Sequence, residues 1–130
     1  MGEEPEKSME EVIRTDGRYP PEAYAFLHEG LSLASKKVHG EQAASGQRHV
    51  TGQQICEALR ELAIERYGHL ARAVLAKWRI NETMDFGNMV YLLIENKFMK
   101  KTPEDSIEDF RDVFDLDTAL AVGDDFDLKE

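Results

Sequence analysis

The sequence contains a single cysteine in 130 residues. One thiol cannot close an internal disulfide, so the chain is no cross-linked secreted scaffold, and a reducing compartment suits it. No apolar run approaches the ~20 residues of a membrane-spanning helix. The first residues, Met-Gly-Glu-Glu-Pro-Glu-Lys, are acidic and lack the apolar stretch of a secretory leader. A cytoplasmic protein without membrane contact is the expectation. A phosphate-cradling glycine loop, a dinucleotide fingerprint and a Ser-His-Asp signature are missing too. The triplet Asp85-Phe86-Gly87 spells a kinase metal-binding motif, but no glycine-rich loop or catalytic-loop signature accompanies it. Asp85 reads instead as a helix cap and Phe86 as core.

What is present is ordinary for a folded soluble domain: 42% hydrophobic and 32% charged residues. A chain of this length buries about two-thirds of its unfolded surface. The strongest local signal begins at Thr51, which forms a capping box with Gln54, while Val50 and Ile55 supply a hydrophobic staple. Ile55, Cys56, Leu59, Leu62, Ala63 and Tyr67 then follow helical spacing, and Gly68 stands where a left-handed glycine would end the helix. A second helix is predicted over residues 69–79, with Trp78 as the central plug of the core. A third, capped by Thr83 or Asp85, carries Phe86, Met89, Val90, Leu93 and Ile94 to a stop at Asn96.

Upstream, Ser8 opens a short helix with Val12 and Ile13, and Gly17 breaks it. Pro21 suits the first turn of a longer helix through about Lys37, with Tyr24, Leu27 and Leu31 in register. Downstream, Thr102-Pro103-Glu104-Asp105 reads as a helix start, residues 110–114 as strand or helix, and Asp117 as the cap of a last turn. The expected organisation is a flexible N-terminal segment with a short helix over 1–18, a single helical domain over 19–120 and an acidic flexible tail over 121–130. The fold class is mainly α, a compact single-domain helical bundle. The element order also admits a winged-helix-like domain, with one short β-hairpin pairing residues 98–99 and 110–114.

The stretches His-Val-Thr-Gly-Gln-Gln-Ile-Cys-Glu-Ala-Leu-Arg-Glu-Leu-Ala, Asp-Phe-Gly-Asn-Met-Val and Lys-Thr-Pro-Glu-Asp-Ser-Ile-Glu-Asp-Phe-Arg carry a resemblance. The chain resembles, over roughly residues 19–120, a small family of conserved hypothetical proteins of planctomycete and verrucomicrobial bacteria. The resemblance implies a bacterial, intracellular setting. It carries over no catalytic or binding residue.

Charge is divided unevenly along the chain. From Thr102 onward eleven acidic residues face two basic ones, whereas residues 49–101 hold eight basic against six acidic. Nucleic-acid binding draws on phosphate contacts by Lys and Arg, and the third helix offers almost none. A winged-helix-like nucleic-acid-binding regulator is therefore the alternative reading. The first is a non-catalytic protein-interaction or regulatory module with a protein partner. Its expected contact surface joins the first long helix to the turn at Lys97, Lys100 and Lys101. Phe126 and Leu128, two apolar residues set among acids, form a segment suited to docking in a groove, including on this chain's own lysines.

Other constellations read as structural. Cys56 lies on the apolar face of its helix and, with His49 and His69, lacks the ligand number and spacing of a zinc site. Asp115 and Asp117 do not extend into a calcium loop. Asp105, Glu108, Asp109 and Asp112 form a solvated acidic run, not a shielded acid–base pair. No catalytic residue, metal or cofactor is expected.

Overall fold

The computed structural model describes residues 7–40 and 49–121. Among these residues the α-helices are α1 (Met9–Asp16), α2 (Pro21–His39), α3 (Gly52–Tyr67), α4 (Ala71–Lys77), α5 (Thr83–Glu95) and α6 (Leu116–Ala119). Short 3-10 turns at Gly68–Leu70 and Ile107–Phe110 complete them. The chain is mainly helical. No described residue is in a strand, and the winged-helix hairpin is absent from the described residues.

Local chemistry accounts for most of the helix ends. Ser8 Oγ accepts from the Glu11 amide, and Gly17 closes α1 in the left-handed conformation at φ +74°. Thr51 and Gln54 complete a reciprocal capping box at 3.1 and 2.8 Å. Gly68 has the positive φ expected of it but a ψ of −132°, outside the left-handed helical basin. It still ends α3, its amide donating to Ile64 O; two non-glycine residues end the later helices α4 and α5. Arg79 (φ +66°) and Lys97 (φ +71°) each occupy the left-handed position of a Schellman motif. In those motifs the Ile80 amide donates to Leu75 O at 2.9 Å and the Phe98 amide to Leu93 O at 2.8 Å.

This helix ending explains the missing hairpin. The Phe98 amide is spent on the end of α5 and is unavailable to a strand partner. On the other side, the Thr83 hydroxyl donates to Phe110 O at 2.7 Å and accepts from the Val113 amide at 3.1 Å. One side chain thus bends residues 110–113 into a turn, with Asp112 at φ +49°. Phe110 ends the 3-10 turn, and residues 111–114 are neither strand nor helix. The expected helix start at Thr102 is likewise a single turn closed by Asp105, and Ser106 caps the 3-10 turn that follows. Asp115, not Asp117, caps α6. Glu82 occupies the cap position of α5, while the Asp85 carboxylate accepts from the Asn81 and Glu82 amides.

The core forms chiefly between α2 and α3, with α5 and the 3-10 turn after it closing the far side. Close approach of α2 to α3 depends on Gly30, where a Cβ would lie 2.1 Å from Leu59 Cδ2. Phe86, Leu27, Leu59, Leu75, Ile80 and Met89 are the largest fully buried side chains. Trp78 is not the central plug. It follows the last residue of the short α4 and is only partly buried, at the edge of the core, with its ring tilted against Phe26 at 5.5 Å and edge-on to Tyr67 at 6.1 Å. Val12 and Ile13 of α1 are buried, so that helix is seated on the domain. Tyr19, between α1 and α2, donates to Asp85 Oδ1 at 2.5 Å and accepts from Asn88 at 3.0 Å, tying the chain's first turn to α5. No helix among the described residues is long and apolar enough to cross a membrane.

Candidate functional site

Phe110 is the pivot of the site. Its ring rests where two helices carry glycine: a Cβ on Gly52 would lie 3.0 Å from Phe110 Cε1, and one on Gly87 would lie 2.8 Å from Phe110 Cβ. Gly52 opens α3 and Gly87 sits in the first turns of α5, so both helices approach the ring at van der Waals distance. The three stretches singled out above, around residues 49–63, 85–90 and 101–111, therefore meet at one residue. Thr83 fixes the same point from below through the Phe110 carbonyl.

Beside Phe110 this junction leaves a partly enclosed cavity of about 180 Å³. Its apolar wall comes from Leu31 of α2, Val50 and Ile55 at the start of α3, Val90 and Ile94 of α5, and Met99. Its polar wall is His49, Tyr91, Lys100, Lys101, Asp105, Ser106 and Asp109. Most of the acidic groups there are engaged. Asp105 pairs through Oδ1 with His49 Nε2 at 3.2 Å and through Oδ2 accepts from the Thr102 amide at 2.8 Å. Asp109 Oδ2 accepts from the Ser106 amide at 3.2 Å. His49 is also held from behind, its carbonyl touching the His39 ring at the end of α2.

Three groups remain uncommitted. The Tyr91 hydroxyl is buried and has no hydrogen-bond partner among the described residues. Burial, reinforced by the carboxylates of Asp105 and Asp109, holds its pKa above that of a free phenol. It is therefore a neutral, unpartnered donor in a residue that lines the cavity. Lys100 and Lys101 line the cavity and form no ion pair among the described residues. A cavity with an apolar wall, one neutral donor and two ammonium groups suits an apolar side chain flanked by carboxylates.

Of the five residues expected at a partner contact, Lys100 and Lys101 line the cavity. Lys97 does not; it takes the left-handed position that ends α5. Phe126 and Leu128 lie outside the described residues. The expected surface between the first long helix and the lysine turn contains this cavity, with Leu31 marking its α2 side. His49, Tyr91, Asp105, Ser106 and Asp109 were not anticipated at a site. Asp105 and Asp109 belong to the acidic run read as solvated, yet both turn inward as caps. The rest of that run faces water: Glu108 pairs with Arg111 at 2.5 Å on the surface. Cys56 is fully buried, and burial pushes its thiol up to about 12. Among the described residues no three His, Cys, Asp or Glu side chains come together as metal ligands.

A second concavity is wider and shallower. Met9 and Ile13 of α1, Phe26 of α2, Tyr67 and Trp78 line it, with Glu10, Glu22 and Glu29 nearby. Its one arginine, Arg66, is already paired with Glu29 at 2.9 Å. Among the described residues no lysine and no second arginine lines it.

No protein-family model, curated protein or solved structure matches this chain.

Proposed function

We propose that this protein is a non-catalytic interaction module, and that its contact surface is the face around the cavity between α2, α3, α5 and residues 99–110. The partner is a protein segment that places an apolar side chain in the cavity and carboxylates on Lys100 and Lys101. One observation carries this reading: Lys100 and Lys101, which form no ion pair among the described residues, and Tyr91, whose buried hydroxyl has no partner there, line a partly apolar space of about 180 Å³. An engineered apolar cavity of about 150 Å³ accepts benzene, so this volume admits one aromatic or branched side chain. The carboxylates that would otherwise suggest acid–base chemistry are bound to backbone amides and to His49, and they serve to shape the wall.

The test is recovery of the tagged chain from its native lysate, with and without nuclease, beside a Lys100→Glu/Lys101→Glu variant. Protein partners that survive nuclease and are lost from the variant are the expected result. Partners released by nuclease along with bound nucleic acid, or held equally by the variant, would overturn it.

A further inference from the structure

The geometry points to the occupant of this cavity: residues 124–128 of the same chain, Asp-Asp-Phe-Asp-Leu, with Phe126 inserted beside Phe110 and the flanking carboxylates on Lys100 and Lys101. This rests on the reading of the cavity face as the contact surface and names what holds that surface when no partner is bound.

Three observations carry it. The first is reach. Arg60 Nε of α3 donates to Ala119 O at 3.3 Å, which places the end of α6 beside the middle of α3. Ile55 at the cavity wall is five residues earlier on that helix, roughly 8 Å along its axis. Extended chain covers ~3.3–3.6 Å per residue, so Phe126 reaches ~17 Å and Leu128 ~24 Å beyond Ala121. Both exceed that axial separation of roughly 8 Å.

The second is charge. Residues 122–130 carry Asp124, Asp125, Asp127 and Glu130 against Lys129 alone. Lys100 and Lys101 line the cavity and form no ion pair among the described residues, whereas Asp105 and Asp109 are held by His49 and by backbone amides. The third is size and pattern. One aromatic ring fills the cavity, and Phe126 and Leu128, two residues apart, lie on one side of an extended segment. Their intervening and preceding acids then face the rim. Tethering adds to this: a segment joined to the domain by only a few residues is held at a high effective concentration, in the millimolar range for short links, so even a weak contact is occupied. An outside segment of the same chemistry must displace it.

The experiment compares amide spectra of the full chain and of a variant lacking residues 122–130. Deletion is expected to shift the amides of residues 49–55, 90–94 and 99–110 and to leave those of α1 unmoved. A peptide of residues 122–130 added to the shortened chain should reverse these shifts saturably. A Phe126→Ala peptide should bind at least tenfold more weakly. In the full chain, Lys100→Glu/Lys101→Glu should reproduce the spectrum of the deletion, since both side chains sit at the rim and neither holds the core. Amides indifferent to the deletion would overturn self-docking. Shifts of the full chain that fade on dilution would also overturn it, by placing the segment on a second copy. If the deletion is silent but the peptide still binds the shortened chain at these residues, self-docking falls while the contact face stands. If the peptide is silent too, both fall.

Discussion

Thr83 is 1% exposed, yet its hydroxyl is the hinge on which the wall of the cavity turns. It serves the Phe110 carbonyl and the Val113 amide at once. Thr83→Val keeps the shape and leaves both backbone groups unsatisfied in a buried place, which costs about 1–3 kcal/mol. Urea denaturation should show that loss as a lowered midpoint with little change in slope. The sequence offers Thr83, beside Asp85, as a helix cap, because threonine before an amphipathic stretch usually is one. Its actual partners are 27 and 30 residues away. No local spacing encodes a bond of that range. Cys56 was legible for the opposite reason: its position on the apolar stripe of α3 already fixed its burial.

At the scale of elements, α3 and α5 follow their sequence closely because each carries its own caps and its own apolar stripe. The stretch from Met99 to Leu120 does not. Thr102, Ser106 and Asp115 each start a turn within a few residues of the last, so propensity alone cannot decide which turn continues as helix. The decision is tertiary, made by Gly52 and Gly87, which admit Phe110. Gly87→Ala gains up to ~1 kcal/mol of helix propensity. Against this, its Cβ would stand 2.8 Å from Phe110 Cβ and 2.9 Å from Cγ, atoms close to the backbone that cannot swing aside. Overpacking of that kind costs about 1–3 kcal/mol, and it should win. Thermal unfolding of Gly87→Ala is expected below wild type, with the amides of residues 106–113 displaced. An unchanged or raised midpoint would mean that Phe110 is not seated there.

Across the whole molecule, the polar groups in the core set how stability depends on pH. Burial pushes the Cys56 thiol up to about 12, and it raises Tyr19, with Asp85 adding to the effect, to about 12 as well. A group whose folded pKa is raised contributes stability that is intact below its unfolded value and lost as pH rises toward the folded one. In the unfolded chain these groups ionise near 9 and 10. Stability should therefore fall progressively between about pH 9 and pH 12. The same burial makes Cys56 inert. Iodoacetamide at pH 8 should label it only at the rate of global unfolding, and fast labelling of the native chain would contradict the core described here.

The proposed contact face lies at this same scale, because the cavity belongs to no single helix. Lys100 and Lys101 stood out in the sequence as a basic turn beside an acidic segment. The apolar wall that makes them a site comes from four separate parts of the chain, and only the packing around Phe110 assembles it. The methyl group of Met99 reports on that wall directly, since Met99 lines the cavity while Met89 is buried in the core and Met9 lines the aromatic groove. In a chain lacking residues 122–130 and carrying methionine labelled at the methyl carbon, addition of an Asp-Asp-Phe-Asp-Leu peptide should move the Met99 resonance saturably. Met9 and Met89 should stay in place. Movement of Met9 alone would put binding in the aromatic groove, and no movement at all would leave the cavity without the partner proposed for it.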